Sequence, residues 1–484
     1  MTAARALLLT LAGCELSGRA AALNKKLVQT QPQQSPVILR EDRLSLGHAA
    51  DLAEDGNCAP LRNRGTHFTI EIEVGTPAQK FDVVADTGSD NVIVASCICA
   101  NRHRCSASDK CFEGGNRSSS FLLSSATSPS GQQSARAVVL TFGSGQIEAM
   151  IATDVVRVGR EQATMQESLL LMVDRALSIS GPFEGILGLG LPQASGDADS
   201  LLGRGFLERA GIARFSLCFN SGADGVLRLD TPAVPGALGS IGHFHWGLDF
   251  EGISVGDVTA PVQFCSRDSM KAGQQTPCGA IPDSGTTVMM APEEHLRQLY
   301  GSLCMQWPRC KSQVESSDYA PYEAFQAVLL RCSDWLTERG LHELPPIHFH
   351  LAGPDGSRRA LTLQGPAYVL GTREDEMRYV TKHLFGVFPV RLAVPTGQQK
   401  DVCLPAFASH QYDTLKNGPI WILGTPIFYE FQVGYDLRSQ PPAISFSEGR
   451  CGECGRGPAL VTSGDERALG SQRAARGLPR QGPG

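Results

Sequence analysis

The chain has 484 residues and a formal net charge of −6, and only 19% of its residues are charged, against roughly 25% in average soluble domains. Its 43 Lys and Arg residues are outnumbered by 49 Asp and Glu residues, which argues against the basic surface of a nucleic-acid-binding protein. A hydrophobic content of 42% excludes disorder of the whole chain, and 52 glycines with 29 prolines indicate the many turns of a β-rich fold.

The N-terminus combines a short basic start with a brief apolar run. Residues 6–13 are almost all apolar, follow Arg5 and precede small residues near 19–22. This pattern is typical of a signal peptide over residues 1–22, with a frayed N-terminal helix as the alternative. The 15 cysteines independently favour an oxidising compartment. Because no later stretch reaches the ~20 apolar residues of a membrane span, we expect a protein of the secretory pathway without a transmembrane segment.

Residues 23–64 are polar, contain glutamine and proline, and show no sustained period, so they are predicted to be a pro-segment or linker. From residue 65 the pattern changes to short apolar runs with period 2, separated by turns, which predicts β-strands. The clearest runs are 68–74, 81–85, 137–142, 149–158, 346–351 and 431–435. Helices are predicted at 292–303 and 322–338, and residues 451–484 are predicted to be a disordered tail.

Two short segments 197 residues apart share one design. In each, an aspartate ends an apolar run and is followed by a hydroxyl residue, a glycine and a second hydroxyl residue. Each is also echoed downstream, by residues 185–188 in the first case and 421–424 in the second. The repeat indicates two homologous lobes, placed at 65–235 and 236–450. The two motifs consist of Asp86, Thr87, Gly88 and Ser89, and of Asp283, Ser284, Gly285 and Thr286.

The repeated motif suits a buried carboxylate. An aspartate after a buried strand is costly to ionise unless it is hydrogen-bonded, and the flanking hydroxyls and the close backbone approach at glycine supply donors. If the two motifs meet at a pseudo-twofold axis, their carboxylates share one proton across acidic pH. One carboxylate is then a base towards water and the other an acid, with no metal, cofactor or covalent intermediate. The predicted catalytic residues are Asp86 and Asp283, and the other six motif residues support them.

The two motifs and their surroundings resemble the pepsin-like aspartic proteases over about residues 67–446. The matching segments are 72–79 before the first motif, 183–190, 215–217, 344–349 and 421–424. The resemblance implies a mainly β, bilobal fold with pseudo-twofold-related, β-barrel-like lobes and an interlobe cleft. It also implies an aspartic endopeptidase that binds a polypeptide substrate in this cleft, works as a monomer, and is secreted or resides in the lumen of an acidic vesicle or vacuole.

The flap hairpin that closes over substrate in this family resembles residues 140–145. Its candidate substrate-binding residues are Phe142, Gly143, Ser144 and Gly145, with Ile93 beneath them. The family usually has tyrosine and tryptophan where this chain has Phe142 and Ile93, and a hydrogen bond joins that usual pair. Because both partners are absent together, no polar group loses its partner, and we interpret the pair as a coordinated replacement. Drift in an inactive relative is the alternative.

Removal of Cys14 with the signal peptide leaves 14 cysteines, an even number. The resemblance implies the second-lobe disulfides Cys265 with Cys278 and Cys332 with Cys403, and Cys304 with Cys310 could close a small loop. Four cysteines between residues 97 and 111 could bind zinc, but we favour disulfides because the spacing lacks paired Cys-x-x-Cys motifs. Cys451 and Cys454 are predicted to form a local bridge.

Three further features concern processing and the surface. Asn116 begins an N-glycosylation sequon and is a candidate glycosylation site. Lys25 and Lys26 resemble pro-segment lysines that contact the catalytic carboxylates in this family, which predicts a zymogen activated by acid; a solvated basic pair in a linker is the alternative. Insertions at 304–323 and 365–400 are predicted to be surface loops.

Two functions of different classes fit these residues. The first is an active aspartic endopeptidase, favoured because both aspartates and all four flanking hydroxyls are present. The second is an inactive or weak pseudoprotease that binds a protein or peptide in the interlobe cleft, which the altered flap favours. Ala85 and Pro282, directly before the two aspartates, are unusual for the family and bear on the rate more than on the type of reaction.

Overall fold

The structure is a computed structural model that describes residues 57–106, 109–127, 131–177, 183–192, 203–336, 340–384, 388–449, 451–452 and 454. The predicted signal peptide, Lys25 and Lys26, and residues 455–484 of the predicted tail lie outside the described residues. Within the described ranges, no helix has the length and apolar character needed to cross a membrane.

The first half of the described chain folds almost entirely as β-strands, because apolar residues alternate with polar ones between turns. Its strands are β1 (Cys58–Asn63), β2 (Phe68–Val74), β3 (Gln79–Asp86), β4 (Val92–Ala95), β5 (Leu122–Leu123), β6 (Ser125–Thr127), β7 (Gln133–Ala135), β8 (Ala137–Phe142), β9 (Gly145–Val158), β10 (Glu161–Leu177), β11 (Gly185–Gly188), β12 (Arg214–Asn220), β13 (Ala223–Leu229) and β14 (Leu238–Gly239). The helical elements are α1 (Cys97–Asn101), α2 (Phe206–Ala210) and a 3-10 turn at Gly114–Asn116.

The second half mixes strands with longer helices. Its strands are β15 (Leu248–Val255), β16 (Gly279–Pro282), β17 (Met289–Ala291), β18 (Ile347–Ala352), β19 (Arg358–Leu363), β20 (Val369–Leu384), β21 (Phe388–Pro405), β22 (Phe407–Ser409), β23 (Asp413–Thr414), β24 (Gly418–Leu423), β25 (Phe431–Asp436) and β26 (Ala443–Glu448). Its helices are α3 (Glu293–Gln306), α4 (Pro308–Glu315), α5 (Pro321–Leu329), α6 (Gly365–Tyr368) and α7 (Thr425–Glu430), with 3-10 turns at Arg267–Ser269, Cys332–Asp334 and Gly340–Glu343.

Two large sheets carry the fold. The first has the strand order β14-β26-β25-β12-β13-β1-β2-β3-β11-β4-β10-β9-β5, and β8 pairs with β9 at its side. The second has the order β19-β18-β15-β16-β24-β17-β22, and β23 pairs with β24. The two sheets fit the predicted mainly β, bilobal fold class, and this prediction is confirmed.

The alternation of apolar and polar residues decides which side chains enter the core. In β2 the apolar side chains at positions 68, 70, 72 and 74 are buried, whereas Glu71 and Glu73 are partly exposed. Beneath the two aspartate motifs, the rings of Phe215 and Tyr435 stack at 4.8 Å, and Trp246 lies 4.9 Å from Tyr435. Each such buried apolar side chain contributes roughly 1.5–3 kcal/mol, so the base of the two motifs is well supported.

The helix predictions are right in one case and too long in the other. The helix predicted at 292–303 is present as α3, but the one predicted at 322–338 is α5, which ends at Leu329. Cys332, just after α5, is bonded to Cys403 of β21. This tertiary link holds the following residues in a 3-10 turn, and the local apolar period does not reveal it.

Both predicted surface loops have regular structure. Residues 304–323 contain α4, which begins with a proline at its first position, and the bond Cys304–Cys310 joins α3 to α4. Residues 365–400 form most of a long hairpin, in which β20 pairs with β21 from Val369 opposite Pro405 to Leu384 opposite Phe388. Neither hairpin strand pairs with any other described strand.

The first large sheet combines strands from both ends of the described chain. β1 precedes residue 65, yet it pairs with β2 and β13 inside the first large sheet. β25, from the predicted second lobe, pairs with β12 of the same sheet. The pairings of β1 with β13 and of β25 with β12 join segments that are far apart in the chain, and the pattern within either segment does not specify its partner.

Seven disulfides use all 14 cysteines after Cys14. They are Cys58–Cys454, Cys97–Cys111, Cys99–Cys105, Cys218–Cys451, Cys265–Cys278, Cys304–Cys310 and Cys332–Cys403. The three pairs named from the sequence are present, and the four cysteines between 97 and 111 form disulfides rather than a zinc site. The predicted bridge between Cys451 and Cys454 is wrong, because the chain after β26 returns to β12 and to the start of β1.

A buried histidine at the start of β2 links the fold to pH. His67 is 5% exposed, its Nε2 has no hydrogen-bond partner among the described residues, and Nδ1 lies 3.0 Å from Thr66 Oγ1. Burial, assisted by the charge of Arg64, lowers the pKa of His67 to about 4. The unfolded chain takes up this proton near pH 6.5 and the folded chain does not, so the free energy of unfolding falls as pH drops from 6.5 to 4, by about 3 kcal/mol.

We expect the variant His67→Gln to lose this part of the pH dependence. The difference in melting temperature between pH 7 and pH 4 should be smaller in the variant than in the wild type, because glutamine takes up no proton in either state. The same change at the exposed His342 is the matched control and should leave the difference as in the wild type. Equal pH dependence in all three proteins would show that burial of His67 does not set acid stability.

Candidate active site

Each motif aspartate lies at the end of a strand and is fixed by a parallel neighbour. β3 ends at Asp86 beside β11, and the amide of Leu189 donates to the Asp86 carbonyl oxygen over 2.7 Å. β16 ends one residue before Asp283 beside β24, and the Asp283 amide donates to the carbonyl oxygen of Leu423 over 2.9 Å. The two echoed segments found in the sequence therefore have the same structural role in both lobes.

The two carboxylates accept the same set of hydrogen bonds. Asp86 accepts from the Gly88 amide over 2.9 Å and from Ser89 Oγ over 2.5 Å. Asp283 accepts from the amide two residues later over 2.8 Å and from Thr286 Oγ1 over 2.6 Å. Donors of this kind stabilise the charged form of a buried carboxylate. They offset the free-energy cost of removing these carboxylates from water.

The middle residues of the two motifs join the lobes by reciprocal hydrogen bonds. The Thr87 amide donates to Ser284 Oγ over 3.0 Å, and the Ser284 amide donates to Thr87 Oγ1 over 3.0 Å. Each hydroxyl then donates across to the other lobe, Thr87 to the Pro282 carbonyl oxygen over 3.0 Å and Ser284 to that of Ala85 over 2.7 Å. Both hydroxyl residues are fully buried, so these four bonds fix the separation of the two aspartate loops.

The glycines of the motifs allow the opposite aspartate to come close. A Cβ atom placed on Gly88 would lie 2.8 Å from the carboxyl group of Asp283, and one placed on Gly285 would collide with Asp86 Oδ1. No larger residue fits at either position without displacing the carboxylate that faces it. Glycine is therefore needed at both positions because the carboxylate of the other motif lies so close. This close approach brings the two predicted catalytic residues together.

Burial and proximity combine to favour a proton on the pair. Burial raises the pKa of Asp86 well above its usual value, and the negative charge of Asp283 raises it further. Hydrogen bonds from Ser89 and Gly88 oppose this shift. The raised pKa lets the Asp86 carboxyl keep a proton in mildly acidic solution while it faces the carboxyl group of Asp283.

The predicted flap is a hairpin formed by β8 and β9, with Gly143 and Ser144 at the turn and Phe142 opposite Gly145. Phe142 is half-buried and packs against a small apolar cluster that contains the fully buried Ile93. This arrangement is what an apolar replacement of a polar contact requires. The five residues named from the sequence are thus brought to one hairpin and the cluster at its base.

Two residues at the site were missed in the sequence. His245 Nδ1 lies 3.0 Å from the carbonyl oxygen of Gly88, and the buried Tyr435 hydroxyl donates to the Pro282 carbonyl oxygen over 3.1 Å. Both come from segments about 150 residues away from their partners in the chain, and neither lies in a repeated motif. The sequence placed Tyr435 on a predicted strand but indicated neither of these two contacts.

Two other groups need placing. Asn116 is exposed, and the sequon hydroxyl of Ser118 is buried and accepts the Thr76 amide over 2.9 Å; glycosylation of Asn116 stays a prediction.

Cys265, Cys278 and His295 lie close enough to resemble a metal site. The two sulfurs form a disulfide and His295 Nδ1 accepts from an indole N–H over 3.1 Å, so this cluster is explained without a metal.

The chain is similar to a known protein family and to several known proteins. The family model described as "Eukaryotic aspartyl protease" matches residues 67–448. Renin of Canis lupus familiaris is 26% identical over 391 residues, which is 77% of each chain. Aspartic proteinase A1 of Arabidopsis thaliana is 26% identical over 283 residues, 54% of this chain and 50% of that protein. Pregnancy-associated glycoprotein 1 of Ovis aries is 34% identical over 161 residues, 33% of this chain and 38% of that protein.

The matched residues span well over half of the chain and include both aspartate motifs, the flap hairpin and every strand of the two large sheets except β1. The chain belongs to the eukaryotic aspartyl protease family.

Proposed function

We propose that this protein is an aspartic endopeptidase. A peptide bond of the substrate is hydrolysed in the space between the carboxyl groups of Asp86 and Asp283. The observation that carries the proposal is the matched set of hydrogen bonds on the two facing carboxylates, with the reciprocal bonds of Thr87 and Ser284 beneath them. A single loop of this kind is enough for a structural turn, whereas catalysis by a pair of carboxylates requires two such loops that face each other. The complete motif pair therefore favours catalysis over a cleft that only binds.

The reaction follows from the shared proton, a known property of aspartic proteases. The ionised carboxylate takes a proton from a water molecule, whose oxygen forms a bond to the peptide carbonyl carbon. The protonated carboxyl donates to the carbonyl oxygen at the same time. The carboxyl that took the proton of water then gives it to the nitrogen as the carbon–nitrogen bond breaks, and a hydroxyl of the tetrahedral intermediate returns a proton to the other carboxylate, which restores the singly protonated pair. Each step uses groups of this chain and water alone.

The direct test is digestion of acid-denatured globin at pH 3 to 6, with and without a statine-type inhibitor. The proposal expects new peptide products that disappear with the inhibitor. A wild-type chain that binds the inhibitor, as shown by a raised melting temperature, but forms no products would instead support the alternative function. In that alternative, the cleft holds a protein or peptide without cleaving it, and the altered flap is the feature that favours it.

The same proposal covers substrate and location. The substrate is a polypeptide bound in the interlobe cleft by a monomeric enzyme, and the protein enters the secretory pathway and is secreted or kept in the lumen of an acidic vesicle or vacuole. The seven disulfides support an oxidising compartment. Synthesis as a signal-peptide-bearing zymogen and glycosylation at Asn116 are parts of this proposal.

The flap offers a test of how this enzyme differs from its relatives. Phe142→Tyr alone should change kcat/KM little, because the hydroxyl has no indole partner. Ile93→Trp alone should reduce kcat/KM, because it adds bulk and an unpaired N–H donor to a buried site. The double variant should recover activity beyond the product of the single effects, with a coupling of about 1 kcal/mol for one regained hydrogen bond.

A double-mutant cycle on one peptide substrate measures this coupling. Val139→Thr, at an exposed position of the same flap strand, is the control for unspecific effects on the hairpin. Strict additivity of the two changes would mean that positions 93 and 142 do not interact, and the flap would then need another explanation.

A further inference from the structure

A tight loop after β14 carries a histidine to the first aspartate motif. The loop is centred on Ser240, whose Oγ donates to the Gly247 carbonyl oxygen over 3.0 Å and accepts the Gly242 and Gly247 amides over 3.2 Å each. A side chain at Gly242 would collide with the carbonyl oxygen of His245. The next residue, Trp246, is fully buried, and its Nε1 donates over 3.0 Å to a carbonyl oxygen directly after β11. The backbone on both sides of His245 is therefore fixed.

The imidazole of His245 contacts the backbone that holds Asp86. Its Nδ1 lies 3.0 Å from the carbonyl oxygen of Gly88, and because a carbonyl oxygen can only accept, Nδ1 carries the proton. The bond is made to the peptide group between Gly88 and Ser89. The two donors to Asp86, the Gly88 amide and the Ser89 hydroxyl, lie on either side of that peptide group. Movement of this one peptide group would displace both donors.

The second motif has no such support within the described part of the chain. There, the carbonyl oxygen of Gly285 accepts no side-chain hydrogen bond, although Asp283 is held by the same kinds of donor as Asp86. The first motif also carries Asp90: burial raises the pKa of its carboxyl, and the charge of His245 opposes that rise. The other titratable group on the loop, His243, is exposed and lies 3.3 Å from Lys416 Nζ.

We propose that His245 is a positioning residue that holds the Gly88–Ser89 peptide group and thereby aims both hydrogen-bond donors at Asp86. The inference rests on the proposed endopeptidase function and deepens it, because it assigns the first motif a support that the second lacks. The tight turn at Ser240 and the buried Trp246 fix the backbone that presents the imidazole. His245 acts through the Gly88–Ser89 peptide group rather than on the substrate.

The test compares two near-isosteric replacements in the full-length protein. His245→Asn keeps an N–H donor close to the position of Nδ1, and His245→Leu removes it. We expect His245→Leu to lower kcat about 3- to 10-fold, the loss of one hydrogen bond, and His245→Asn to stay within about 2-fold of the wild type. Hydrogen bonds to an ionised carboxylate lower its pKa, so the acid limb of the kcat/KM profile should move to higher pH in His245→Leu.

The control is His243→Leu on the same loop, which should leave kcat and the profile unchanged. Equal kcat and equal pH profiles for the asparagine and leucine variants would overturn the inference, whether both match the wild type or both are reduced together with the melting temperature. A wild-type protein that binds a statine-type inhibitor and cleaves nothing would overturn the proposed function, and this inference with it. An active wild type with indistinguishable variants would overturn the inference alone.

Discussion

The single variants Asp86→Asn and Asp283→Asn should each lower the rate of peptide hydrolysis on the order of 10⁴-fold. The reason is that an amide can neither take the proton of water nor share the proton of the pair. The double variant should be no worse than either single variant, since the two groups act as one unit. Hydrolysis of one fluorogenic peptide at several pH values measures the loss.

The fold should survive both changes. An asparagine side chain can still accept from the amide two residues later and donate to the neighbouring hydroxyl, and it removes a buried charge. The melting temperature at pH 7 should therefore be unchanged or higher. Asp318→Asn, at an exposed position outside the cleft motifs, is the matched control and should keep full activity. A single motif variant that retained a substantial share of the wild-type rate would contradict the mechanism.

The second large effect is expected from Ser284→Ala, and it concerns stability. The change leaves the Thr87 amide and the Ala85 carbonyl oxygen without their partners. Each unpaired buried polar group costs about 1–3 kcal/mol, so the loss of partners for these two groups should lower the free energy of unfolding by about 2–6 kcal/mol. Chemical denaturation at constant pH measures this change, and Ser333→Ala at an exposed position should alter it by less than about 0.5 kcal/mol.

Coupling between the lobes gives this prediction a sharper form. Thr87→Val removes the same network from the other side, so the double variant with Ser284→Ala should lose less stability than the sum of the two single changes. Additive losses would mean that the two hydroxyls do not depend on each other, and the reciprocal bonds would not be the link between the lobes.

Local patterns predicted the parts of the fold that local sequence determines. The strands at 68–74 and 137–142 were identified residue for residue, because period-2 alternation marks a strand with one face in a core. The aspartate motifs and their closing segments were found because they occur twice. Pairing across long distances left no such mark: β1 has no clear alternation in its sequence, and β25 joins a sheet that begins more than two hundred residues earlier.

The same limit applies to the site. Thr87 and Ser284 were identified as support residues, but their reciprocal bonds depend on how two lobes meet, which neither motif encodes alone. His245 reaches Gly88 only because the turn at Ser240 and the burial of Trp246 bring it there. The bridge wrongly predicted between Cys451 and Cys454 failed for the same reason, since nearness in the chain is a poor guide when a terminal segment folds back onto a sheet.

The two disulfides at the end of the chain have a consequence for survival among proteases. Because Cys58 is bonded to Cys454, residues 58–454 form a closed covalent ring. The disulfide Cys218–Cys451 joins two further positions within this ring. One backbone cut inside the ring, for example in the hairpin of β20 and β21, leaves the two pieces attached to each other. A cut before Cys58 instead sets the preceding segment free, since Cys14 is the sole cysteine there. Loss of an N-terminal segment and resistance to separation after internal nicking are therefore independent properties of this chain.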